Sequence, residues 1–354
     1  MKAVRGIFWF LLIPVVSVAH TFQIFEENGK VGLKNEQGVV MIPAQYESLG
    51  WSDGTFAVVN QVTGYQLKGK WGLIGLDNKK IAPAHFESLL PGEGSVLIAQ
   101  RKADRSIRVM TGCVTTQGKE VIPFMYDGIR VQGMRAIVFT KIGSQYKFGV
   151  VDLEHKTIIP QQYKSIQSMG SLRFAVENFD HKIALFADQG KQLTDFIIDS
   201  LSAFRKNYAV IYQNNLQGIV DRDGDIRIEP RYREVRLDDA GTIRVRDADT
   251  WLLIDGKNTT HKSIVADNLI PLAENRLLVA TASQWQLTNN SFAPLSANKF
   301  SWVGAFEKAN AVVHVRGKSG VINTQGDFVI KPLYDSLIRI SHHYLAMQRQ
   351  HSKT

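Results

Sequence analysis

With 354 residues, 44% hydrophobic and 21% charged, the chain has the composition of folded protein and is neither a disordered tail nor a low-complexity linker. Its formal net charge of +9 is mild for the length, and the basic residues are dispersed rather than run together. A single cysteine, Cys113, excludes an internal disulfide framework, and 28 Gly against 10 Pro suit a chain with many tight turns.

The first expected element is an export signal. Lys2 and Arg5 precede an apolar run from Gly6 to Val18, and Ser17-Val18-Ala19 offers small residues where a signal peptidase reads. The 13 residues of that run would span about 20 Å as a helix, short of the roughly 30 Å hydrocarbon core of a bilayer. Residues 1–19 are therefore expected to be a cleaved signal peptide, with a retained anchor as the alternative. No later segment is long and apolar enough for a span, and no cysteine lies where a lipid anchor would be attached. A secreted or periplasmic location follows from this reading, and it disfavours nucleic acid as a partner.

Residues 20–347 repeat. A glycine hairpin entering an apolar strand occurs at Gly29-Lys30-Val31-Gly32, Lys70-Trp71-Gly72, Lys147-Phe148-Gly149, Gln217-Gly218 and Lys318-Ser319-Gly320. Weaker copies fall at Gly112, Ala184, Leu252 and Gln286, beside Trp251 and Trp285. Taking positions 32, 72, 112, 149, 184, 218, 252, 286 and 320 as equivalent gives nine units spaced 34 to 40 residues apart.

Two further landmarks keep the same phase. Ile42-Pro43-Ala44-Gln45-Tyr46 recurs at Ala82-Pro83, Ile122-Pro123 and Ile159-Pro160. It recurs one residue shorter as Glu229-Pro230-Arg231-Tyr232 and Lys331-Pro332-Leu333-Tyr334. An alternating strand comes late in each unit, as in Phe56-Ala57-Val58-Val59, Ala136 to Phe139, Tyr208 to Ile211 and Ile243-Arg244-Val245-Arg246. Period-two alternation predicts one inward face and one solvent face. Proline has no backbone donor, so it is expected at a strand edge or a bulge.

This pattern resembles the WG-repeat family, whose unit reads Gly-Lys-Trp-Gly-hydrophobic-Ile-Asp, then a Gly turn, then Val-Ile-Pro-Pro-X-Tyr-Asp. The closest copies are Lys70-Trp71-Gly72-Leu73-Ile74 and Glu120-Val121-Ile122-Pro123 with Tyr126-Asp127. The resemblance implies a β-repeat architecture and little chemistry, because the shared residues form turns and core.

The fold expected is all-β, a tandem array of about nine three-stranded repeats over 20–347, followed by a polar tail at 348–354. A unit of this size cannot hide its apolar face alone, so neighbours must stack. An open or superhelical stack fits nine three-stranded units better than a propeller, which stays as the alternative. Thr21-Phe22-Gln23-Ile24-Phe25 looks like a spare strand that caps the first unit or pairs with the last. Trp71, Gly72, Phe148, Gly149, Gly218, Trp251, Trp285 and Gly320 are expected to be structural members of the repeat core.

No catalytic, cofactor or metal constellation stands out. Gly317-Lys318-Ser319 lacks the upstream glycine of a phosphate loop. Asp221-Arg222-Asp223-Gly224-Asp225 resembles a calcium loop but has Tyr232 where a bidentate Glu belongs. Histidines lack zinc-ligand spacing, with His342, His343 and His351 near the tail, and Cys113 reads as a buried inert thiol. The acidic pair Asp238-Asp239 reads as a polar turn. Arg101, Lys102, Arg105 and Arg108 are the densest basic group, expected as a solvated connection or, more sharply, a contact for an anionic partner. The function expected is that of a non-enzymatic binding or scaffold protein for a protein or cell-envelope component. A self-associating envelope structural or adhesive protein is the alternative, and a hydrolase with a site built across repeat loops is a third reading. Divergent units near 181–206 and 255–300 are the first places to look for a contact surface.

Overall fold

The structure, a computed structural model, describes residues 22–93, 95–103, 107–170, 172–272, 276–341 and 343–348. The expected signal at 1–19, together with Arg105, His342 and His351, lies outside the described residues. Among those described there is no helix; the strands form separate antiparallel sheets, and none closes into a barrel. Contacts divide the chain into one region over 1–161 and a second over 162–354.

In the first region, Gln23–Glu27, Lys30–Lys34 and Val40–Tyr46 form a three-stranded sheet. Three four-stranded sheets follow, opening at Ser48–Leu49, Ser88–Pro91 and Gly128–Gln132. In the second, four-stranded sheets open at Ser200–Leu201, Glu234–Leu237 and Trp302–Val303. Three-stranded sheets open at Ser165–Ser168 and Asn268–Leu272, and the hairpin Ser336–Ile340 with His343–Met347 comes last. All three landmark strands are present in seven sheets, in six of them preceded by a further strand, whereas the sheets opening at Ser165 and Asn268 have that opening strand but none at the proline position. Pairs such as Ser48-Leu49 are too short to give a periodic signal in the sequence.

The nine landmark positions each fall on a strand of a different sheet. Gly32 pairs with Phe25, Gly72 with Tyr65, Gly149 with Val138, Ala184 with Val176, Leu252 with Val245 and Gly320 with Val313. Six residues after each landmark the backbone takes a positive φ: at Gly38, Asn78, Gly118, His155, Gly190, Gly224, Asn258, Phe292 and Gly326. One register therefore runs through all nine units, including those at Ala184, Leu252 and Gln286, whose sequence signature is faintest. Ahead of the landmarks, turns such as Lys68-Gly69 and Arg316-Gly317 have two successive positive φ values, the twist that two-residue hairpins require.

Three expectations are corrected, and the placement of the spare strand is decided in favour of the first unit. Phe56-Ala57-Val58 is not a strand; only Val59 makes an isolated bridge, to Val62, and the ladder strand is Val62–Leu67. The loop before it buries Trp51, which the repeat pattern gave no reason to single out. The copies at Pro230 and Pro332 are not shorter: Ile226–Tyr232 and Phe328–Tyr334 are seven residues long, as is Val40–Tyr46, with proline one place later. The spare N-terminal strand is Gln23–Glu27 and pairs within the first sheet. Finally, the alternating strand does not present one face to solvent. Arg244 is fully buried, because a sheet stacked between two neighbours covers both of its faces.

Each described buried cluster draws on two consecutive sheets. Leu33, Ile42 and Tyr46 pack with Leu49, Tyr65 and Ile74 of the next sheet. Trp71, Leu73 and Phe86 pack with Leu89, Leu97 and Val114, and Cys113 and Tyr126 with Ile129 and Val151. In the second region Ile219 and Ile228 meet Val235 and Ile254, and Trp251 meets Leu269 and Phe292. This is the nearest-neighbour burial expected of units too small to stand alone.

Polar contacts follow the same rule. Tyr126 Oη lies 2.7 Å from His155 Nε2, and Tyr232 Oη donates to Asn258 Oδ1 at 3.1 Å. In each pair the tyrosine closes one sheet and its partner is the left-handed turn residue of the next.

Candidate binding grooves at the strand edges

The signature residues form one device rather than separate marks. The strand carrying Pro43 bulges, so that Leu33 pairs with Ile42 while Val31 pairs with Tyr46. The same shift recurs at Trp71/Leu73, Thr111/Cys113, Gln217/Ile219 and Ser319/Val321. It drives a carbonyl toward the landmark position. A Cβ on Gly72 would lie 2.8 Å from Ala82 O, and one on Gly320 would lie 2.7 Å from Ile330 O. Glycine there and proline in the facing strand are two halves of one bulge. Where Leu252 replaces glycine, pairing with Thr260–Val265 runs on through Ser263 without that shift.

Lysine and the acidic residue after tyrosine form a second device. Lys70 Nζ is 2.5 Å from Glu87 and Lys318 Nζ is 2.6 Å from Asp335, and Lys182 pairs with Asp199. Each carboxylate begins the next sheet, so each pair ties neighbouring units at the hairpin end. The Asp or Asn ending the landmark strand has a third role. Asp152 Oδ1 accepts from Glu154 N and Lys156 N, and Asn323 Oδ1 from Gln325 N and Asp327 N. Asp221 is used alike: Oδ1 takes Asp223 N and Asp225 N while Oδ2 takes Arg227. These oxygens serve the turn. Among the described residues no three His, Cys, Asp or Glu side chains are grouped to hold a metal.

Beside the lysine device lie two grooves built from the same repeat positions. One, of about 530 Å³, is lined by Tyr65, Leu67, Lys68, Lys70, Lys80, Ile81, Pro83 and Ala84. The other, of about 580 Å³, includes Val315, Arg316, Lys318, Phe328 and Pro332, equivalent to Leu67, Lys68, Lys70, Lys80 and Ala84. Its remaining wall comes from the preceding sheet, including Lys299. In each groove the strand lysine is held by a carboxylate. Lys68 and Lys80 in the first, and Lys299 and Arg316 in the second, form no ion pair among the described residues. The turn carrying Lys68 is fixed by Glu47, which accepts Lys68 N at 2.9 Å and Gly69 N at 2.8 Å. Those two N–H groups, Gly69 first, hold the Glu47 carboxyl below the usual range, so it stays ionised. Each groove thus offers two cations beside apolar side chains.

The basic group read from the sequence is placed differently. Arg101 and Lys102 end Val96–Lys102 and Arg108 precedes Val109–Thr115, so they flank a hairpin rather than fill a long connection. Arg101 lies 4.1 Å over the Phe124 ring and 3.6 Å from Glu120. Arg108 binds Asp127 through both carboxylate oxygens at 2.7 and 2.8 Å. Lys102 is exposed, and Arg105 lies outside the described residues.

Of the core residues singled out, Trp71 and Trp251 are buried, Phe148 is half-buried on Phe139, and Trp285 is half-buried against the cluster around Phe300. Gly72, Gly218 and Gly320 hold bulge positions, and a Cβ on Gly149 would lie 2.9 Å from Ile159 O. Cys113 is buried, and desolvation pushes its thiol up to about 12, so little thiolate exists near neutrality. Asp238 and Asp239 do not act as a pair: the first faces Arg244 at 3.1 Å and the second faces Arg205. Arg244 also reaches Asn290 Oδ1 at 2.6 Å across to the next sheet. Neither Arg244 nor the grooves could be found from linear spacing: Arg244 and the second groove join residues of neighbouring repeats, and the first groove joins a hairpin turn to a strand of the same sheet ten or more residues on.

The sequence profile of the WG containing repeat matches residues 32–61, 112–131, 218–251 and 320–342. No curated protein sequence matches the chain. Among solved structures, it is similar to a eukaryotic initiation factor at 10% identity, covering 94% of this chain and 96% of that one with a TM-score of 0.38. Apo AztD from Citrobacter koseri is matched at 10% identity over 78% of this chain and 93% of that one, TM-score 0.32. The WD40 propeller domain of Doa1 is matched at 13% identity over 64% and 88%, TM-score 0.24.

Proposed function

Because this chain carries WG-containing repeats at four stretches, we propose that it is an exported, non-enzymatic scaffold that holds an acidic segment of a protein partner. The observation that carries this reading is the recurrence of a groove at equivalent positions in two repeats, each with two cations that form no ion pair among the described residues, Lys68 and Arg316 being the equivalent ones. Repeat arrays commonly bind along such recurring surfaces. Opposite charge brings the partner in, and the apolar side chains of Ile81 and Pro83 supply contact area. Export is supported by the composition of residues 1–19.

The test uses a fluorescent Glu-rich peptide as probe. The parent chain is expected to bind it with an affinity that falls as salt rises. The double substitution Lys68→Glu and Lys80→Glu should weaken binding about tenfold, the effect of losing about 1.4 kcal/mol. Unchanged affinity in that variant would refute the groove assignment. For export, N-terminal sequencing of the protein recovered from its native host is expected to start at His20; a start at Met1 in a cytosolic fraction would overturn that part.

A further inference from the structure

The last sheet is unlike the others. It has two strands, Ser336–Ile340 and His343–Met347, paired so that Ile338 faces Leu345 across the ladder. Its two faces differ sharply. Leu337 is buried, as is Leu89 at the equivalent place in an earlier sheet, where it packs back on the preceding sheet. The opposite face carries Ile338, Ile340, Leu345 and Met347, which are 49%, 56%, 50% and 48% exposed, with Ser336 and His343 at its two ends.

The register says what this face is for. Leu345 stands where Ile98 and Val210 stand in their sheets, and both of those pack into the cluster shared with the following sheet. The exposed face is therefore the one that other sheets of the chain place against a successor. Within the described residues nothing covers it. Its outer strand, His-Tyr-Leu-Ala-Met, carries no lysine, no proline and no bulge, the usual protections of an unpaired edge.

We propose that this face is a homodimer contact, with Ile338, Ile340, Leu345 and Met347 of one chain packed on the same four residues of a second copy. A two-fold axis makes one apolar patch self-complementary without any other surface having to match. The first sheet of a second copy is a poorer partner. Where Ile74, Val114, Val220, Ile254 and Ile322 face back toward a preceding sheet, the first sheet has Lys34, whose amine lies 4.2 Å over the Phe25 ring. At that place the first sheet carries a charge, whereas the centre of the described face of the last sheet is apolar. The inference does not depend on the groove reading, since no groove residue takes part.

A patch of four side chains per copy is small, so the dimer is expected to be weak, with dissociation in the micromolar range. Sedimentation velocity from about 1 to about 200 µM should show the parent chain moving from monomer to dimer. Leu345→Lys should keep it monomeric over that range with unchanged peptide binding in the groove assay. A parent chain that stays monomeric throughout would overturn the proposal. So would a Leu345→Lys variant that dimerises as the parent does, or assembly of the parent beyond a dimer.

Discussion

Replacing Trp251 by alanine will destabilise the sheets around it by about 3–5 kcal/mol, the range for removing a fully buried tryptophan. The indole is completely enclosed, between its own strand Thr250–Ile254 and Ala266, Leu269, Leu277, Val279 and Phe292 of the next sheet. The Arg236 guanidinium sits 5.2 Å from the ring and adds a cation–π contact. Because repeats are joined by nearest-neighbour terms, the loss should not spread evenly. Amide hydrogen exchange is expected to quicken in Thr250–Ile254 and Arg276–Thr281 while Lys30–Lys34 keeps its protection. Uniform quickening along the chain would mean that stability is not held locally, and no change would mean that the tryptophan contributes no packing.

Gly218→Ala is expected to cost about 1–3 kcal/mol, although it adds one methyl group to a strand that already has suitable backbone angles. The methyl would meet Ile228 O and the nitrogen of Pro230, both main-chain atoms that a rotamer change cannot clear. Relief requires undoing the bulge between Gln217 and Ile219, and with it the placement of Tyr232 against Asn258. The chain contains its own control. Alanine stands naturally at position 184, whose sheet has no fourth strand and only the isolated bridges Ile183–Ile198 and Phe186–Gln192 on that side. Urea denaturation followed by circular dichroism measures the difference; a Gly218→Ala protein as stable as its parent would show that the bulge yields freely.

Much of this architecture was legible in the sequence because the determinants are local and recur. The glycine landmark, the proline strand and the turn each depend on residues a few positions apart, so their spacing survives even where side chains drift. Phe292 shows how far: it holds a φ of 65°, a conformation uncommon for a bulky side chain, at a turn where other units use Gly, Asn or His. What could not be read is what the stacking decides. Arg244 looks like a solvent-facing member of an alternating strand, yet the following sheet encloses it. Trp51 belongs to an inserted loop outside the repeat pattern, and no periodicity predicts that the loop folds back to bury it. The grooves were missed for a different reason. Lys68 and Lys80 are unremarkable residues until a hairpin brings a turn and an edge strand together.

The tyrosine-to-turn contacts also bear on how such a gene can change. Across each joint, Tyr126 meets the turn residue His155, and Tyr232 meets the turn residue Asn258. A segment of 34 residues can be copied or dropped between two such contacts, and the flanking tyrosine meets an equivalent turn at the new seam. Change by whole segments leaves every remaining joint intact, whereas an insertion of a few residues within a strand would misalign the bulge, the ion pair and the turn together.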